Sequence, residues 1–242
     1  VKKGDLKMNE SRINILSNVQ ARENALLRSV YTFMTLGLLV TGIVSFLASQ
    51  NQTVVKFFLM NPMGSVLLMI IQFGLVIYLS ARIEQMSRNN AITAFFAYSV
   101  VSGISLSAIF LVYTYSVIWQ AFLSCAVMFG ITSIFAATTK KSIANWGGYL
   151  SMALIGLIVA SLLNMFFRSS AMTFLISIIG IVVFVGLTAW DTQKIVSINR
   201  QYGSVMSVDE YTKLGVLGAL ELYLDFLNIF LYLLRLFGNR RD

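Results

Sequence analysis

The sequence predicts an all-α integral membrane protein of seven transmembrane helices, and three observations carry that prediction. Hydrophobic residues make up 57% of the 242-residue chain and charged residues only 12%. With a mean hydropathy of +0.79, this is the composition of a chain embedded mostly in a bilayer. Seven apolar runs follow one another, each close to the ~20 residues that cross a ~30 Å hydrocarbon core. A single proline, Pro62, argues against several domains strung on loops.

Taken in order, residues 1–26 form a polar arm holding Lys2, Lys3, Lys7, Arg12 and Arg22. The arm lacks the apolar centre of a cleavable signal peptide and is expected to stay as a cytosolic segment. Ile13, Leu16 and Val19 fall on one side of a helix, although a solvated arm is the simpler expectation. Residues 27–238 form the transmembrane domain and 239–242 a short tail. The spans are expected at Leu27–Ser49, Met63–Ala81, Ala91–Tyr113, Val117–Thr139, Gly147–Phe167, Ala171–Gln193 and Leu214–Leu236. Pro62 suits a helix start, where its missing N–H costs nothing. Only the Tyr113–Ser116 region divides the third span from the fourth. In the third span Ser99, Gly103 and Ser107 recur every four residues, a small-residue face that lets another helix approach closely and that serves ordinary packing before any ligand.

Lys and Arg counts set the expected orientation. With the N-terminus inside, 13 basic residues fall on the inner side and 5 on the outer, which favours a cytoplasmic N-terminus and an external C-terminus. Arg235, Arg240 and Arg241 at the outer end run against the trend. The formal net charge of +8 sits in short clusters beside the spans, without a continuous basic patch. Orientation in the membrane explains it better than nucleic-acid binding.

The chain has no His and one Cys, Cys125, inside an apolar run. That excludes intramolecular disulfides, Cys/His zinc sites and His-based triads; Cys125 reads as a packing residue. Carboxylates remain as the groups able to do chemistry or meet a hard cation such as Ca²⁺.

The seventh span concentrates them. Gly218, Glu221, Asp225, Asn228, Tyr232 and Arg235 follow one another at helical spacing and form one stripe. A charge facing lipid costs about 2.5–3.5 kcal/mol or more at mid-membrane, so this helix belongs inside the bundle with its stripe toward protein or a water-filled cavity. Asp191 closes the sixth span on the inner side; Arg82, followed by Glu84, closes the second. Two carboxylates close together in low dielectric do not ionise independently; they share a proton or hold a cation, which makes such a pair a natural pH-dependent cation gate. The bland alternative is a hydrogen-bonded network that locks helices together, with Arg82, Glu84 and Arg235 snorkelling to the interface. Spacing leaves the partner of Asp191 open: Asp225 lies about eleven residues into its span, ~16 Å at helical rise, so depth counting favours Glu221.

The segments Trp190-Asp191-Thr192-Gln193-Lys194-Ile195 and Leu222-Tyr223-Leu224-Asp225-Phe226-Leu227-Asn228, continuing through Leu234-Arg235-Leu236-Phe237-Gly238, resemble the transmembrane Bax-inhibitor-motif family, in its bacterial inner-membrane branch. The resemblance covers about Leu27 to Gly238. It implies a central C-terminal helix wrapped by two three-helix layers: spans one, two and six, and spans three, four and five. It also implies a pH-sensitive Ca²⁺ leak in which Asp191 and Asp225 form the proton-sensing pair and Arg82 engages them. Arg235 corresponds to the family's late arginine. Where some members place an acid opposite that arginine, this chain reads Ile70-Ile71-Gln72-Phe73, with Gln72 the polar candidate. Glu221 is a further departure, adding an acid to the pathway beside Asn228.

The expectation is therefore a multi-pass inner-membrane Ca²⁺ leak channel, gated at Asp191, Asp225 and Arg82 and lined by Glu221, Asn228 and Arg235. Ca²⁺ is held transiently by Asp191, Asp225 and Glu221, and no cofactor is tightly bound. Partners are the lipid bilayer, Ca²⁺, H⁺ and other membrane proteins. Alternatives are a proton-coupled transporter and a non-conducting regulator that binds membrane proteins. An intramembrane aspartyl protease fits poorly: Leu222-Tyr223-Leu224-Asp225 replaces Gly-x-Gly-Asp, and a Pro-Ala-Leu element is absent because Pro62 is the only proline.

Overall fold

The computed structural model describes residues 3–139, 141–202 and 206–238, with side chains from Asn24 onward. Every regular element among them is helical, and seven helices are long and apolar enough to cross a membrane. We number these α1 (Lys3–Gln50), α2 (Pro62–Arg82), α3 (Arg88–Val112), α4 (Tyr115–Thr138), α5 (Trp146–Phe167), α6 (Ser170–Tyr202) and α7 (Val208–Phe237).

Local chemistry sets the helix ends. Asn61 caps α2, its Oδ1 accepting from the Met63 N–H at 3.0 Å, with Pro62 in the first turn. Ser87 caps α3 in the same way. The α7 start is a capping box: the Ser207 hydroxyl accepts from the Glu210 N–H at 3.3 Å, and Glu210 accepts from the Ser207 N–H at 2.7 Å. The division expected near Tyr113 is present, since α3 ends at Val112 and α4 begins at Tyr115.

Three helices run longer than their apolar runs. The arm joins α1 as one continuous helix from Lys3. α6 continues nine residues beyond Gln193 to Tyr202, with Ile195, Val196 and Asn199 buried. α7 begins at Val208, ahead of Leu214. Packing against a neighbouring helix, not lipid solubility, sustains α6 and α7 past the hydrocarbon boundary. Residues 239–242, expected as a tail, lie outside the described residues, as do the side chains of Ile13, Leu16 and Val19.

α7 is the central helix: it packs on α1, α3, α4 and α6 and has the most buried span. Tyr223, Leu222, Ile229 and Ala219 are fully enclosed in it. The pairings cut across the two expected three-helix layers, because α2 packs on α3 and α5 on α6. The small-residue face of α3 receives α1. Ser99 and Ser107 are fully buried, and a Cβ on Gly103 would stand 2.9 Å from the Thr41 carbonyl oxygen. Apolar side chains of α2 and α5, such as Ile77 and Ile155, point outward as a lipid-facing surface requires.

Candidate functional site

The site follows from the antiparallel register of α6 and α7. A Cβ on Gly218 would meet Ile195 Cδ1 at 2.8 Å, and one on Gly180 would meet the Tyr232 ring at 2.6 Å. These two close approaches fix the slide of one helix on the other. Between them, Asp191 comes level with Asp225, and Lys194 with Glu221. Asp191 and Asp225 are neighbours at this level and are only 7% and 4% exposed. Spacing left both acids open as partners of Asp191, and the register brings Asp225 level with it while Glu221 lies close by. Depth counted from the end of the apolar run used the wrong origin, because α6 runs on to Tyr202.

Glu221 is engaged elsewhere. Lys194 Nζ donates to its Oε1 at 2.6 Å and stands 4.0 Å from Asp191 Oδ1. Lys194 also lies 5.3 Å from the centre of the Trp190 ring. Asp225 Oδ2 is buried with no hydrogen-bond donor among the described residues, and the Thr188 hydroxyl beside it bonds the Phe184 carbonyl at 2.8 Å. A buried carboxylate oxygen without a donor is costly. One proton shared across the Asp191–Asp225 pair would remove that cost.

These groups form the floor of a cavity of about 780 Å³. The polar stripe of α7 lines it, from Glu221 through Asp225, Asn228 and Tyr232 to Arg235. Its walls are Gln72, Phe73 and Val76 of α2 and residues such as Leu154, Ile158 and Ser161 of α5. Asn228 donates its Nδ2 to its own helix at the Leu224 carbonyl, 2.8 Å away. Arg235 lies 5.5 Å from the Tyr232 ring centre. Gln72 is tied to α3: it donates to Ser102 Oγ at 3.5 Å and accepts from Ser105 Oγ at 3.1 Å. It therefore makes no latch to Arg235.

Not every expected site residue is brought to the pair. Arg82 does not engage the carboxylate pair: it is exposed at the end of α2 and does not line the cavity. The cation beside the pair is Lys194, projecting from the same helix as Asp191 one turn on. Asp191, Asp225 and Glu221, expected to meet Ca²⁺ transiently, do not come together as a group of three ligands, and no such group occurs among the described residues. The 2.6 Å contact with Lys194 holds the Glu221 carboxylate. Sequence reasoning passed over Lys194 by counting it as a juxtamembrane topology charge. Its spacing of three from Asp191 was the available signal.

Seven membrane-spanning helices around a buried carboxylate pair in an open cavity define a multi-pass membrane protein with an intramembrane acidic site. The family model described as inhibitor of apoptosis-promoting Bax1 matches residues 23–242, and the chain belongs to that family. It is 43% identical over 212 residues to the inner membrane protein YbhL of Escherichia coli strain K12, covering 88% of this chain and 90% of that one. It is 39% identical over 214 residues to protein RP147 of Rickettsia prowazekii, covering 88% and 89%. With YrjE of Lactococcus lactis it shares 38% identity over 224 residues, covering 89% and 91%. It is a multi-pass protein of the inner membrane.

Proposed function

We propose that this protein is a Ca²⁺-permeable leak whose conduction changes with pH through the Asp191–Asp225 pair. The observation that carries this reading is the buried pair lying in the floor of an open cavity, with one carboxylate oxygen lacking a donor. A shared proton neutralises part of the site; its loss leaves two acids that attract a divalent cation. In the closed form Lys194 occupies Glu221 and stands near Asp191, filling the place that a permeating cation would take. Conduction then requires Lys194 to release Glu221. The site works by binding and gating, not by covalent chemistry. The N-terminus lies in the cytoplasm and the C-terminus outside.

The test is Ca²⁺ influx into liposomes carrying the purified protein and an enclosed indicator, followed from pH 6 to pH 8. Wild type is expected to show a flux that changes with pH. Asp191→Asn and Asp225→Asn are expected to conduct at a rate that no longer responds to pH, and Glu221→Gln to alter the rate while keeping the response. No flux above empty liposomes at any pH would sink the leak. Substrate-dependent proton uptake in its place would favour a proton-coupled transporter, and inactivity in both assays a regulator acting through membrane-protein partners.

A further inference from the structure

The end of the bundle where α7 terminates holds a second cavity, of about 560 Å³, lined by both Arg168 and Arg235. Among the described residues no Asp or Glu lines it, and neither guanidinium forms an ion pair. The remaining wall is built of neutral donors and acceptors. Asn164 donates to Thr173 Oγ1 at 2.7 Å and accepts from the Ser169 N–H at 3.1 Å, while Thr173 donates to the Ser169 carbonyl at 3.0 Å. Tyr113 closes the far side against Gly238.

Arg168 occupies an unusual backbone position. It ends α5 in the left-handed region at φ 51°, the one non-glycine residue with positive φ among the described residues. Glycine or asparagine is the ordinary occupant of such a helix end, so an arginine there runs against local preference. Phe166, Phe167 and Phe174, exposed on the neighbouring turns, place the cavity mouth beside the hydrocarbon boundary. Two guanidiniums without carboxylates, at that depth, match an anion that the bilayer itself supplies, since arginine pairs with phosphate by parallel charge-assisted hydrogen bonds.

We propose that the Arg168–Arg235 cavity binds the headgroup phosphate of an anionic phospholipid from the adjoining leaflet. The lipid ties the α5–α6 turn to the end of α7. This also accounts for a late arginine on α7 that finds no acid on α2, where Gln72 is bonded to Ser102 and Ser105.

Native mass spectrometry of the full chain, released from detergent micelles containing phosphatidylglycerol or phosphatidylcholine, tests this. Phosphatidylglycerol is expected to stay bound to wild type, with phosphatidylcholine, whose choline offsets the phosphate charge, retained less. Arg235→Gln should lower retention about tenfold, as loss of one charge-assisted contact implies. Arg168→Gly is the decisive variant, because glycine suits the left-handed helix end and leaves the fold intact. It is expected to melt no lower than wild type in detergent yet to lose phosphatidylglycerol to the same extent. Undiminished lipid retention in Arg168→Gly overturns the proposal. So does protection against heat by inorganic phosphate alone equal to that given by the lipid, which would make the ligand a free anion.

Discussion

Glu221 is held inside the bundle by Lys194, which reaches it from the facing helix, Nζ to Oε1 at 2.6 Å. Both side chains are partly exposed to the cavity, at 35% and 25%, so the pair is worth less than the ~3–5 kcal/mol lost on breaking a fully buried one. Lys194→Met should cost about 1–2 kcal/mol, chiefly by leaving Glu221 unpaired. The double variant Lys194→Met/Glu221→Gln should recover most of that loss, which a double-mutant cycle of thermal melts in detergent reads directly. Additive losses would show that the contact has no energetic weight. Asp225 makes the opposite case. Its Oδ2 lacks a donor, and an amide at that position supplies N–H groups toward Asp191. Asp225→Asn should therefore fold at least as stably as wild type, whereas Asp225→Leu should lose about 1–3 kcal/mol by leaving Asp191 without its polar neighbour. Equal melting of these two variants would count against a shared proton. The stripe that carries these groups was legible in the sequence because intramembrane charges are rare and helical spacing puts them on one face. The cation facing them was not, since a lysine near a membrane boundary has a simpler use in setting orientation.

At the scale of the element, close helix approach decides which faces meet. α1 and α3 touch through Gly103, where an added Cβ would stand 2.8 Å from Val44 Cβ and 2.9 Å from the Thr41 carbonyl oxygen. Backbone cannot yield as a flexible side chain can, so Gly103→Ala should destabilise the protein by about 1–3 kcal/mol. Gly130 in α4 has nothing within 4 Å of its Cβ position. Gly130→Ala should be neutral or stabilising, up to ~1 kcal/mol from helix propensity. Melting temperatures of the two variants in one detergent separate the readings, and equal shifts would argue that α1 does not pack on Gly103. The four-residue spacing of Ser99, Gly103 and Ser107 announced such a face but not its partner, because small residues specify closeness and not identity. The same limit applied to α6. An apolar run marks where the lipid ends, whereas Ile195, Val196 and Asn199 stay buried beyond it by packing. Helix register, and with it the match of Asp191 to Asp225, depends on Gly180 and Gly218 meeting Tyr232 and Ile195, contacts invisible to hydropathy. The helix pairings of α2 and α5 were beyond reach for a related reason, since two lipid-facing apolar helices offer no charge pattern by which to choose neighbours.

At the scale of the molecule, charge divides the bundle into unlike ends. The end that carries the α2–α3 and α6–α7 connections holds Arg82, Arg88, Lys194, Arg200 and Lys213, together with Glu84, Asp209 and Glu210. The opposite end holds Lys56, Arg168 and Arg235 with no acid among the described residues. Basic residues resist translocation, and acids contribute little to the choice, so the end richer in Lys and Arg should face the cytoplasm. Arg235 and Arg168 need not oppose that orientation if anionic headgroups neutralise them at the outer boundary. Two exposed loop positions test the assignment in intact cells expressing the full chain: Gln52, between α1 and α2, and Gln85, between α2 and α3. Cys125 is fully buried, its thiol donating to the Phe226 carbonyl at 3.3 Å, and gives little background to a membrane-impermeant maleimide. Gln52→Cys should be labelled from outside, and Gln85→Cys only after the membrane is permeabilised. The reverse pattern would invert the protein. The Lys194–Glu221 contact would then stand toward the outer mouth and the paired arginines toward the cytoplasm, so the proposed gate would meet the pH of the opposite compartment.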